Sequence, residues 1–572
     1  MSGWLGRGGT GSSFYPWNLL HLGNLKGDLF GGLTTAIVSL PLALAFGVAS
    51  GAPNGPVVGL YGAICIGFFA ALLGGTPTLI SEPTGPMTVV FTGIVATLTA
   101  ADPENGLAMA FTAVMLAGVV QILAGVFQLG KYITLMPYSV ISGFMSGIGV
   151  ILILLQTAPL LGQPSPKGGV LGTLGNLPAL LQNTDPVEVG LGGLAIALIF
   201  AVPSRFKRVV PPQLLALVVG TLVSVWVFPD ADIRRIGEIP MGLPTLRVPV
   251  FTPAQFTTVV LEGLVLGLLG CIDTLLTAVI ADSLTRTEHN SDKELIGQGI
   301  ANLVSGVCGG LPGAGATMGT VVNIQTGAKT AVSGLTRAVV LLTVVLFAAP
   351  LAKDIPMAVL AGIALKVGID ILDWSFLKRA HVVSRKGAII MYGVMGLTVF
   401  LDLIVAVGVG VFVANMLTIE SLSQLQAQNV RAIGDADDSI PMTATEKSLI
   451  DRAQGQVLLF YLSGPMIFGV AKAIAREHRA AADAQVVIFD LQDVPKLGVT
   501  ASLALENAMQ EAREQGKTVW VVGAKPRVRE RLEKLGLRDW LDSSCWWESR
   551  EEALAAAIAM VEGPPVESLT NV

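Results

Sequence analysis

An α-helix needs roughly 20 predominantly apolar residues to cross the hydrocarbon of a bilayer, and this chain presents apolar runs one after another over its first four hundred or so positions. They lie near 28–47, 55–75, 85–99, 106–128, 133–155, 187–203 and 209–228, and again near 257–282, 294–310, 317–327, 331–350, 355–370, 386–401 and 402–420. Only 13% of the residues are charged against 52% hydrophobic, and the charge concentrates after Glu420, so the chain reads as a polytopic membrane protein with a water-soluble end. The expected division is a membrane domain over 1–421, a polar linker over 422–436, a soluble domain over 437–562 and a tail over 563–572.

The third and tenth runs are too short to span, and each begins in Gly, Pro and Thr where a full span is already helical. Gly-Gly-Thr-Pro (74–77) precedes the third, and Gly-Gly-Leu-Pro (309–312) precedes the tenth. The same signal at corresponding places in two sets of seven segments implies a repeat. An odd number of segments per repeat makes the second copy inverted, and paired broken segments mark the binding site of secondary transporters. Basic residues set the orientation. With the N-terminus inside, Lys131, Arg205, Lys207, Arg208, Arg286, Lys293, Lys378, Arg379, Arg385 and Lys386 fall in inner loops, while the outer loops hold mainly Lys167, Arg234, Arg235 and Arg247. Both termini are expected in the cytoplasm. Arg7 is followed by polar and aromatic residues up to Lys26, which is not the pattern of a cleavable signal peptide.

Asp273 stands about midway along the eighth run, with Thr277 one turn on and on the same helix face. A carboxylate there can bond to helix-breaking backbone, but an ionisable group in mid-span costs a few kcal/mol and by default points to function. Thr277 can instead bond its own backbone. Thr84 and Thr317 sit where the two short helices begin, where the plain reading is an N-cap. The functional reading adds that a helix N-terminus offers free N–H groups and roughly half a positive charge to an anion. Glu82, Lys329 and Asp402 read as charges at segment edges, and Lys366 and Asp370, one turn apart, as a local pair.

Beyond the linker, Val457–Leu462, Val486–Leu491 and Thr518–Gly523 are strand-like and alternate with helical stretches at 467–479, 500–515, 525–535 and 550–561, a pattern that implies a small α/β domain with a parallel sheet. Cys65, Cys271, Cys308 and Cys545 have no zinc-ligand spacing. A net charge of −5, without a basic block, argues against a nucleic-acid partner. No nucleophile–base pair, nucleotide loop or metal cluster suggests an enzyme.

The whole chain resembles the SulP anion permeases with their C-terminal STAS domain. The features that carry the likeness are the fourteen segments, Pro-Thr-Gly-Pro at 83–86, Thr-Gly-Ala-Lys-Thr at 326–330 and the α/β end. Asp273, Thr277, Gly-Ala-Thr at 315–317 and Leu497–Glu506 are most similar to the sodium-dependent bicarbonate permeases of cyanobacteria. The resemblance implies a core of segments 1–4 and 8–11 moving like an elevator against a gate of segments 5–7 and 12–14, and a homodimer in the plasma membrane. The substrate would lie between the facing ends of segments 3 and 10. On this basis Thr84, Ala316, Thr317 and Gly319 are candidates for bicarbonate. Asp273, Thr277, Gly315 and Thr317 are candidates for the coupling sodium, which needs hard oxygen ligands. Many animal relatives carry an arginine where Gly319 stands, so no fixed positive charge is expected at the site. Bacterial signalling relatives carry a phosphoacceptor serine where this chain reads Lys496-Leu497-Gly498-Val499-Thr500.

The expected function is sodium-dependent uptake of bicarbonate by a symporter. A proton-coupled or exchanging permease for sulfate or a dicarboxylate, with Asp273 as proton carrier, is the alternative. A membrane-bound sensor signalling through the STAS domain is a third reading.

Overall fold

A computed structural model of the chain describes residue 18 and residues 20–133, 137–166, 168–203, 211–238, 242–347, 349–401, 403–435, 440–467, 470–479 and 484–562. Arg7, Lys167, Arg205, Lys207, Arg208, Asp402, the boundary at 436–437 and the tail 563–572 lie outside the described residues. The chain forms two compact units, Met1–Phe412 and Val413–Val572.

Fourteen helices stand where the fourteen apolar runs do. In the first half they are α1 Leu25–Ala49, α2 Gly55–Leu73, α3 Gly85–Ala101, α4 Gly106–Val126, α5 Tyr138–Leu160, α6 Pro186–Ala201 and α7 Pro212–Trp226. In the second they are α8 Phe256–Thr285, α9 Ser291–Val307, α10 Thr317–Gln325, α11 Val332–Phe347, α12 Met357–Ile371, α13 Arg385–Phe400 and α14 Leu403–Gln428. Six of the described helices are long and apolar enough to cross a membrane singly, and a pair bent by 115°, Gly169–Gln182 with α6, makes a seventh candidate. The helix Gly169–Gln182 has no counterpart among the expected runs, since Gly172, Thr173, Gly175 and Asn176 dilute its apolar character. α5 starts at Tyr138 rather than near 133, behind Pro137 in an extended conformation. α3 has 17 residues and α10 only 9, so at about 1.5 Å per residue α10 covers roughly half the hydrocarbon thickness.

α1–α4 pack with α8–α11, whereas α5, α6, α7, α12 and α13 pack among themselves, the two groups meeting through α1 with α7 and α12 and through α3 with α5 and α12. This is the grouping that the resemblance implies. Small residues allow the close approaches: a Cβ added at Gly118 of α4 would stand 2.4 Å from the Gly299 carbonyl of α9. Just ahead of the short helices α3 and α10, β1 (Ser81–Glu82) pairs antiparallel with β2 (Ala314–Gly315), Ser81 opposite Gly315 and Glu82 opposite Ala314.

The expected linker is not a loop. α14 continues to Gln428, because the Ser, Gln, Leu and Ala residues after Glu420 are all compatible with helix, and Val430–Ile433 then form β3. In the second unit β3 is antiparallel to β4 (Val457–Ser463), and β5 (Val486–Asp493), β6 (Thr518–Val522) and β7 (Trp546–Trp547) follow in parallel, in the order β3-β4-β5-β6-β7. The sheet is therefore mixed at one edge. Side chains alternate across it: Leu458, Phe460 and Leu462 pack into one core with Phe489, Leu505 and Met509, and Val457, Leu459 and Tyr461 into the other with Ile488, Ile450 and Leu554. Helices Val470–Arg479, Val499–Glu514 and Pro526–Lys534 cover the first face; Ala444–Arg452, held by a Thr443/Glu446 capping box, and Arg550–Glu562 cover the second. Arg550 Nε reaches Asp490 Oδ2 at 2.6 Å in the interior. Burial pushes the Asp490 carboxyl above its usual range, against the pull of Arg550.

Candidate ion-binding site

Non-helical backbone at membrane depth must find partners for every N–H and C=O, and the segment before α10 finds them in neighbouring backbone and in polar side chains. Gly309 takes φ +65°, a left-handed turn out of α9. Gly310 N–H then donates to Ser305 O at 2.7 Å, Leu311 N–H to Val58 O at 3.0 Å, and Ser305 Oγ to Leu311 O at 2.6 Å. Asn302 serves Gly313 twice, accepting its N–H and donating to its carbonyl, both at 2.9 Å, and Gln298 Nε2 donates to that carbonyl at 3.1 Å. Gly315 N–H donates to Thr274 Oγ1 at 3.2 Å.

The approach to α3 is treated in the same way. Glu294 Oε2 accepts Gly75 N–H and Thr76 N–H at 2.8 Å each, Asn323 Nδ2 donates to Thr78 O at 2.9 Å, and Thr320 Oγ1 accepts Ile80 N–H at 3.0 Å. The Thr-Gly-Ala-Lys-Thr motif has its own anchor: buried Asp28 of α1 accepts Lys329 N–H at 2.7 Å, Thr330 N–H at 3.1 Å and Thr330 Oγ1 at 2.7 Å.

On this frame the candidate residues converge. Asp273 and Thr277 are buried on one face of α8. Thr84, the N-cap of α3, donates its hydroxyl to Asp273 Oδ2 at 2.8 Å. Thr277 Oγ1 donates to the Gly315 carbonyl at 2.8 Å and lies 3.0 Å from Thr317 Oγ1. One carboxylate, two hydroxyls and a carbonyl thus collect where α8 meets the start of α10, a hard-oxygen set with a single negative charge that suits a singly charged hard cation. Ala316 is the N-cap of α10, but its N–H is committed to Ile80 O at 2.7 Å. The donors that α10 leaves for an anion are therefore the N–H groups of Thr317, Met318 and Gly319, which precede the first intrahelical bond, from Thr320 N–H to Ala316 O at 2.9 Å.

Two expectations fail here. Glu82 is not an edge charge: it is buried in β1 and its Oε2 accepts from Arg337 Nη2 at 2.5 Å. A fixed positive charge is also present, because Arg337 of α11 is fully buried, donating to Ser39 Oγ at 2.9 Å and Ser81 O at 3.0 Å as well. The supporting residues Asp28, Glu294, Gln298, Asn302, Asn323 and Arg337 share one signal, a polar or charged side chain inside or beside an apolar run. Lys366 and Asp370 pair with each other, as their spacing implies.

Residues 25–394 match the sulfate permease family and residues 449–553 the STAS domain. Bicarbonate transporter BicA of a Picosynechococcus species is 63% identical over 545 residues, covering 95% of this chain and 96% of that protein. The solved transmembrane domain of a cyanobacterium bicarbonate transporter BicA is 65% identical, with a TM-score of 0.66 over 69% of this chain and 100% of that one. The murine solute carrier 26 family member A9 anion transporter, in its inward-facing state, is 20% identical with a TM-score of 0.80 over 95% and 92% of the two chains, a likeness of fold.

Proposed function

The chain belongs to the sulfate permease family, and we propose that it is a sodium-dependent symporter that takes up bicarbonate across the plasma membrane. Its termini lie in the cytoplasm, it works as a homodimer, and the group α1–α4 with α8–α11 carries the ions past the other helices. The identity to bicarbonate transporters along nearly the whole chain supports the substrate, and the oxygen set around Asp273 supports the cation. We assign no catalysis to it.

The observation that carries the coupling is the hydrogen bond from Thr84 to Asp273. With no cation beside it, Asp273 holds the Thr84 hydroxyl and repels an anion. Sodium held by Asp273, Thr277, Gly315 and Thr317 neutralises that charge and frees the hydroxyl to turn to bicarbonate at the N-termini of α3 and α10, where the N–H groups up to Gly319 complete the cradle beside Ala316. Each ion then strengthens the binding of the other, as linkage requires. Radiolabelled bicarbonate uptake by the purified protein in liposomes tests the reading. Uptake should depend on sodium and fall to background when choline replaces it. Sodium-independent uptake, or proton-driven sulfate uptake in its place, overturns it, and any measurable uptake dismisses a pure sensor.

A further inference from the structure

The cradle has a charge balance that its named ligands do not explain. Glu82 stands two residues before Thr84, on the strand that pairs with β2, so its backbone is part of the crossing. One carboxylate oxygen, Oε2, is tied to Arg337. The other, Oε1, lies 3.3 Å from where a Cβ at Gly319 would stand, and so faces the first turn of α10, the turn whose N–H groups remain for an anion. Arg337 is held from three sides, by Ser39 of α1 and by Ser81 and Glu82 of β1, with no exposed side-chain surface. It cannot swing away, and water does not screen it.

We infer that the Glu82–Arg337 pair is a specificity determinant that fixes the charge of the anion cradle for a monovalent anion and against a divalent one. Two helix N-termini supply about half a positive charge each, roughly one in all. Sodium cancels Asp273, and Glu82 cancels Arg337, so what remains matches an anion of single charge. Neutralising Glu82 alone would leave a second, desolvated positive charge beside the cradle, and the match would move to a doubly charged anion. Neutralising Arg337 alone would leave a buried carboxylate facing the anion. A side chain at Gly319 would press on Ile80, 3.0 Å from its Cβ, and on Glu82, 3.3 Å away.

The inference rests on the bicarbonate reading, and the two are separable. If the unmodified protein in liposomes takes up no bicarbonate, that reading fails before any variant is compared. Given uptake, half-saturating bicarbonate and inhibition by sulfate are measured at fixed sodium for Glu82→Gln, Arg337→Met and the double variant, all full length. Glu82→Gln keeps a hydrogen bond to Arg337 through its amide oxygen, and sulfate should inhibit it at concentrations at least about tenfold lower than the unmodified protein requires, with half-saturating sodium little changed. Arg337→Met should raise half-saturating bicarbonate by at least about tenfold. The double variant should return both quantities to within about threefold of the unmodified protein, because opposite charges removed together restore the balance. A purely structural clamp predicts the opposite, with the double variant as impaired as the worse single one. An unchanged sulfate profile in Glu82→Gln, or a folded double variant without rescue, overturns the inference. If Glu82→Gln alone does not fold, rescue of Arg337→Met by the second substitution decides.

Discussion

The backbone at the crossing of β1 and β2 and the backbone of the soluble sheet solve one problem in two ways. Both must satisfy extended strands away from water. In the sheet, five strands satisfy one another, and side chains are left to fill two cores. At the crossing the ladder is two residues long on each side, a few further N–H groups donate to neighbouring carbonyls, and many of the remaining groups are satisfied by the side chains of Asn302, Gln298, Ser305, Thr274, Thr277, Glu294 and Arg337. A sheet made by its backbone tolerates changes in its side chains. A crossing that leans on side chains has less of that tolerance, and on the proposed reading it rearranges when an ion takes over one of the bonds.

Substitutions can break or sharpen that contrast. The largest loss in the sheet should come where it, too, depends on a side chain: Arg550→Met leaves Asp490 buried and unbalanced, and a fragment that starts after α14, residues 429–572, should lose about 3–5 kcal/mol in urea unfolding. Since the native Asp490 pKa is already raised, the folded state holds that proton more tightly than the unfolded chain. The deficit should therefore be expressed above the raised pKa and relieved as the pH falls through it. At the crossing, Asn302→Leu strips Gly313 N–H of its acceptor and should cost about 2–4 kcal/mol in thermal unfolding of the solubilised protein, with bicarbonate uptake lost. Thr277→Val keeps the shape but removes one oxygen, and half-saturating sodium should rise by roughly tenfold, about 1.4 kcal/mol. The smallest effect belongs to the surface. Glu533→Gln removes a partly exposed helical pair with Arg529 and should change stability by about 0.5 kcal/mol or less. A larger loss there would mean that the sheet depends on its side chains after all.

The membrane helices were legible because the bilayer leaves the sequence little freedom: long apolar runs have one use, and the paired Gly-Gly-x-Pro signals show where two of them break. Asp273 was legible because a charge inside such a run stands out. The same reasoning points to Arg337, in the apolar run near 331–350, but a buried charge does not name its partner, and Glu82 is 255 residues away. The position where animal relatives place an arginine, Gly319, gave no hint, because here the positive charge comes from another helix. The edge strands were beyond reach for a different reason. β7 is two residues long, and β3 buries only its first and last residues, so neither carries a period. The extension of α14 to Gln428 lies in polar sequence, where helix and linker have similar compositions.

On the proposed reading one carboxylate joins the two ions, holding sodium and, through Thr84, controlling the anion cradle. Asp273→Asn tests it most directly, since the amide keeps the size and a hydrogen-bond acceptor for Thr84 while losing the charge. Initial rates of radiolabelled bicarbonate uptake into liposomes, with sodium or choline outside, should show the sodium-dependent component abolished in a variant that still elutes as a folded protein. Sodium-driven uptake at the unmodified rate in that variant would contradict the account.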